Sequence, residues 1–129
     1  AFVDVRKWVG YGSGNHWSEG NFMRSMHWES RELARNWSKE KFMDLHHEDF
    51  LFIRETELLT RDEHFSVINR LATETDYFKK YKPQLVHENE FISEARFEDN
   101  DEIVTRVFIM KQRKIWRQIV SRTPIEEVA

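Results

Sequence analysis

Ile103-Val-Thr-Arg-Val-Phe-Ile-Met110, Lys111-Gln-Arg-Lys114 and Ile115-Trp-Arg-Gln-Ile-Val-Ser-Arg-Thr123 follow one another near the end of the chain. They read as two alternating strands joined by a basic turn. Val, Ile, Thr, Phe and Trp dominate both runs, and such side chains suit a pleated surface. With a period of two, Val104, Arg106, Phe108 and Met110 share one face, and Ile103, Thr105, Val107 and Ile109 share the other. The second set is uniformly apolar, so it is expected to be buried. The first set, with Trp116, Gln118, Val120 and Arg122 beside it, is expected to be covered by another subunit, which predicts a homodimer. Pro124 closes the last strand.

Upstream, Glu98-Asp-Asn-Asp101 is a turn in which Asn and Asp supply the positive φ that glycine often provides. Before it, Leu85–Phe97 alternates over its whole length and is expected to be one long strand. Pro83 stands ahead of it and disfavours helix at Lys82. The period changes before that proline. Thr60-Arg-Asp-Glu63 matches a capping box and opens a helix whose register runs through Phe65, Ile68, Leu71, Thr75 and Phe78. Phe50–Glu55 reads as a short strand, with Leu58-Leu59 as its hairpin partner. From Asn21 the pattern is helical, with Met23, Met26, Ser30, Leu33, Ala34 and Trp37 on one stripe. Ser38 is the expected N-cap of a second short helix carrying Phe42, Met43 and Leu45. The order is helix, helix, short hairpin, helix, then an antiparallel meander. Helices and strands segregated in this way define an α+β domain with the helices on one face of a curved sheet.

Three stretches resemble the nuclear transport factor two-like superfamily, in particular its SnoaL-like and ketosteroid-isomerase-like members. Leu45-His-His-Glu-Asp-Phe-Leu-Phe-Ile53 is similar to the segment that leaves the second helix and enters the first strand. Leu59-Thr-Arg-Asp-Glu-His-Phe65 is similar to the entry of the third helix, and Lys114–Ile125, with its Trp-Arg pair, to the final strand. The resemblance covers about residues 21–125. It implies a cone: a curved antiparallel sheet wrapped around about three helices, with an apolar cavity at the open end and often a dimer through the sheet. Superfamily members are isomerases, dehydratases, cyclases, epoxide hydrolases or non-catalytic assembly domains, so fold alone does not give function. Ketosteroid isomerases use a strand carboxylate as base, with a Tyr of the first helix and a protonated Asp as oxyanion donors. The first helix here has no Tyr, and no residue matches that Asp, so the isomerase set is not carried over.

Composition narrows the classes further. The 129 residues make one domain. Lys and Arg number 20 against 23 Asp and Glu, and a net charge of -3 argues against nucleic acid as a partner. Cysteine is absent, which excludes disulfides, thiolate metal sites and a cysteine nucleophile. No apolar run reaches the ~20 residues of a membrane helix, so no membrane partner is expected. The start lacks the build of a signal peptide, and cytoplasmic residence is the default expectation. All four glycines (10, 12, 14 and 20) fall in the first twenty residues. Residues 1–20 are therefore expected to be an appended strand and glycine-rich connector, and 21–129 the cone domain.

The candidate chemistry lies in mixed faces. In 85–97 one face shows Leu85, His87, Asn89, Phe91, Ser93, Ala95 and Phe97, the texture of an apolar pocket with a few polar groups. In 50–55, Phe50, Phe52 and Arg54 share a face opposite Leu51, Ile53 and Glu55. Either Arg54 faces the cavity and binds a carboxylate or enolate, or Glu55 does and acts as base; a regular strand cannot turn both inward. His27, at the edge of the first helical stripe, is a candidate acid/base partner of His87. The candidate catalytic residues are thus His87, Glu55, Arg54 and His27. The candidate ligand-binding residues are Trp28, Trp37, Phe50, Phe52, Asn89 and Phe91. His46-His47-Glu48-Asp49 has the composition of metal ligands, but adjacent histidines diverge, so no metal is expected; the better reading is a helix C-terminus with a favourable imidazolium. His64 is expected at the surface. No cofactor is implied. The function expected is binding of a small apolar or carboxylate-bearing molecule, with or without acid/base catalysis of a dehydratase, isomerase or cyclase type. The alternative is a non-catalytic interaction or oligomerisation domain.

Overall fold

A computed structural model describes residues 25–128, with side chains to 126. The expectations for residues 1–20, and for Met23 in the first stripe, lie outside the described residues.

Helix α1 spans Met26–Arg35, and Ser25 caps it by accepting from the Trp28 amide at 3.2 Å. It buries Met26, His27 and Leu33. Ser38 caps α2 (Lys39–Leu45) as expected, accepting from the Lys41 amide. The chain then passes directly into β1 (His46–Arg54), turns through Glu55, and returns as β2 (Glu57–Thr60). Both arms of the Thr60–Glu63 capping box form at the start of α3 (Arg61–Glu74). This helix stops short of Phe78. The Thr75 hydroxyl donates to the Leu71 carbonyl and accepts from the Tyr77 amide, and Phe78 falls in a separate short helix, α4 (Tyr77–Lys80).

The expected single strand 85–97 is a hairpin, β3 (Gln84–Glu88) and β4 (Ile92–Asp99). The Asn89 side chain makes the turn by accepting from the amides of Phe91 and Ile92 at 2.8 and 2.9 Å. Local side-chain bonds of this kind compete with strand extension. Leu85 and Ala95 are cross-strand partners, both turned inward, so the two arms keep one alternating phase there. A bulge between Leu85 and His87 then shifts the phase, so Glu88 points in and His87 out. Strand β5 (Glu102–Lys111), β6 (Lys114–Pro124) and a last short helix α5 (Ile125–Val128) complete the chain.

Sheet order is β2-β1-β6-β5-β4-β3. The sheet is mixed rather than purely antiparallel, because β1 pairs parallel with β6. The reason is topological: α3 and α4 carry the chain from one edge to the other, and three reversals bring β6 back alongside β1. Bulges interrupt the β1–β6, β3–β4 and β5–β6 ladders, and bulges bend strands. The sheet curves around the helices and stays open, an α+β cone. Its inner face on β5 is Val104, Arg106, Phe108 and Met110, all buried, while Ile103, Thr105, Val107 and Ile109 are half-buried outside. This reverses the expectation for β5. The outer row is the more apolar, yet the inner row carries the one ring, Phe108, and the one charge, Arg106. Met26, Phe50, Phe52, Phe108, Met110 and Ile115 form the central core cluster. Among the described residues no helix is long and apolar enough to cross a membrane.

Candidate functional site

Between the helices and the inner face of the sheet lies a cavity of about 400 Å³. Trp37, Phe52, Leu71, Phe97, Val104 and Phe108 give it a mainly apolar wall. Helix α3 explains why it is open. Its side chains Val67, Ile68 and Leu71 line the cavity, and among its residues only His64 is buried.

Three kinds of polar group enter the cavity. The first is a pair of imidazoles. His64 is buried, not at the surface as expected, because β2 and α3 fold it under the sheet. Its ring stacks on Phe52 at 4.6 Å and lies 5.2 Å from Phe50. Burial brings its pKa down to about 3, with His46 adding to the shift and a hydrogen bond with Gln118 opposing it. Its Nδ1 has no partner among the described residues. His46 stacks on Phe42 at 3.9 Å, and its Nδ1 lies 2.7 Å from the Phe42 carbonyl. Burial lowers it to about 4 against that bond. It therefore meets the end of α2 as a neutral imidazole, not as the imidazolium expected there. Its neighbour His47 points elsewhere, with Nε2 at 2.8 Å from Gln112 Oε1.

The second is Arg106, on β5. Its two terminal nitrogens lie 3.3 Å from Ser30 Oγ and 3.4 Å from Ser93 Oγ, and its guanidinium sits 3.7 Å above the Phe108 ring. Burial pulls its pKa down to about 9, with Glu88 opposing and Arg31 assisting, so it stays charged at neutral pH. The third is a polar rim. Arg54 pairs with Glu57 at 2.9 Å, and Arg122 with Asp99 at 3.0 Å, where Tyr81 also donates.

Of the residues singled out from sequence, Trp37, Phe52 and Arg54 line the cavity together. Trp37 is fixed by its Nε1 donating to Asn69 Oδ1 at 2.8 Å. Phe50 lies in the core cluster instead. Glu55 is exposed in the β1–β2 turn at φ 54°, past the end of the strand, so it does not face the cavity. His87 and Asn89 are exposed at the β3–β4 turn, 3.4 Å apart, and Phe91 at its tip is 62% exposed. The bulge and turn that split 85–97 put them there. Trp28 is 42% exposed on α1. His27 is buried beside the cavity wall: its amide donates to Glu88 Oε2 at 2.9 Å, and burial, with Arg106 and Arg31, lowers its ring to about 4. The four candidate catalytic residues thus do not converge. Sequence reasoning placed Arg106 on a subunit-covered face, His46 at a helix C-terminus and His64 at the surface, and made none of them a site residue. An arginine alternating with Val, Phe and Met on one strand face was the available signal for the first.

No family model and no curated protein matches the chain. Solved structures do. A candidate ketosteroid isomerase from Kribbella flavida superposes with a TM-score of 0.52 at 12% identity, over 76% of this chain and 75% of that one. A nuclear transport factor two-like protein of unknown function from Burkholderia xenovorans gives 0.50 at 12% identity, over 77% and 78%. The chain has the fold of the nuclear transport factor two-like superfamily. At such identity the likeness is one of fold alone.

Proposed function

We propose that the cone binds one small, mostly apolar molecule. The observation that carries this reading is the 400 Å³ cavity with an aromatic and aliphatic wall, a volume typical of small-molecule sites. The two imidazoles facing it are held neutral by burial, so they do not oppose an apolar guest. The test is an NMR titration of amide-labelled protein with a panel of small aromatic and alicyclic compounds. Shifts should cluster on α1, α3 and the inner rows of β5 and β6. Shifts confined to the outer sheet face, or none with any compound, would overturn the reading and favour an assembly domain.

A second reading, acid/base conversion of the bound molecule, is favoured by one observation: His64 lines the cavity with an Nδ1 that has no partner among the described residues. A pKa near 3 makes it a weak base at neutral pH, and no carboxylate joins it from Glu55. Binding therefore ranks first.

A further inference from the structure

We infer that the molecule held in the cone carries a carboxylate and that Arg106 receives it, an inference that rests on the cavity being a ligand site. The alternation of β5 turns Arg106 inward between Val104 and Phe108, whereas Thr105 and Val107 one register away face out. Burying a guanidinium is costly unless a partner compensates it. Among the described residues no carboxylate lies within 4 Å of it. Its bonds to Ser30 and Ser93 are long, and among the described residues its Nε has no acceptor. The Phe108 ring packs against one face of the guanidinium at 3.7 Å. A planar fork of five donors with so little engaged matches the two oxygens of a carboxylate.

The rim cations are already matched: Arg54 by Glu57, and Arg122 by Asp99 and Glu102. Arg31, also on the cavity wall, donates to the Pro83 carbonyl and adds its positive charge to that of Arg106. The carboxylate whose charge Arg106 feels is Glu88, one oxygen of which is bound by the His27 amide. Among the described residues, these two positive charges against one negative leave room for a single further negative charge. That favours a carboxylate over a doubly charged phosphate. The apolar wall takes the remainder of the molecule.

The test uses 4-phenylbutyrate and its neutral isostere 4-phenylbutyramide, titrated calorimetrically into the full chain at pH 7.5. The acid should bind at least about tenfold tighter than the amide, the difference a charge-assisted contact makes. That preference should vanish in Arg106→Met. Arg106→Lys, which keeps the charge and loses the fork, should retain part of it and serves should the methionine variant not fold. Amide binding as tight as acid binding would overturn the carboxylate while leaving the cavity site standing. An acid preference that survives in both variants would remove Arg106 from the role. Binding of neither compound, nor of any apolar probe, would sink both readings together.

Discussion

At the scale of single residues, the histidines set the response to acid. His46 and His64 have folded pKa values of about 4 and about 3, against about 6.5 for an open chain. The unfolded chain therefore binds protons first as pH falls. Stability is fully present above pH 6.5 and is lost as pH falls from there towards 4, by up to about 1.4 kcal/mol per pH unit for each group. His64→Phe keeps the stack on Phe52 and removes one titration. Urea midpoints measured between pH 7 and 4.5 should fall less steeply for this variant than for the wild type. Equal slopes would mean that His64 is not held neutral. The sequence did not reveal this histidine. A residue in the first turn after a capping box is ordinarily solvated, and only the packing of α3 under Phe50 and Phe52 makes it core. Arg106 was hidden for the opposite reason. An alternating strand says which residues share a face, not which face is inside, and the more apolar row turned out to be the outer one.

At the scale of elements, the legible features were those built from local bonds. The Thr60–Glu63 capping box, the Ser38 cap and the Asn100 turn at φ 58° all formed as the sequence predicts. Each depends on residues three or fewer positions apart. Thr60→Ala should cost about 1 kcal/mol of stability, read from urea denaturation, because the Glu63 amide loses its acceptor. The β5–β6 turn offers the reverse case. Gln112 and Arg113 both hold positive φ, at 54° and 64°, in a two-residue connection between the paired Lys111 and Lys114. Asn-Gly favours such turns and Gln-Arg does not. Replacing the pair by Asn-Gly should raise stability by roughly 1 kcal/mol; no gain on urea titration would show that the strain is compensated nearby, for instance by the Gln112 bond to His47. The split of 85–97 was the element-scale loss. Nothing in a run of alternating residues announces that an Asn side chain will fold it back on itself.

At the scale of the whole molecule, the cone gives up packing for space. Val67, Ile68 and Leu71 would be ordinary core residues of a solid domain, yet their faces look into the cavity and they remain partly exposed. The parallel β1–β6 pair joins the two halves of the chain, and the bulges in its own ladder and in the β5–β6 ladder bend the sheet. If that space is kept for a ligand, filling it should exchange binding for stability. Ala34, on α1, lines the cavity and has room before it. Ala34→Leu places three further carbons against the apolar wall and should raise stability by about 1 kcal/mol or more, at ~0.8 kcal/mol per buried carbon less the entropy of fixing the side chain. The same variant should bind 4-phenylbutyrate at least about tenfold more weakly than the wild type, since the leucine and the phenyl ring compete for one volume. A more stable Ala34→Leu with unchanged affinity would place the ligand elsewhere. A less stable one would mean that the helices close around position 34 when the cone is empty, so that the space opens only as the guest enters.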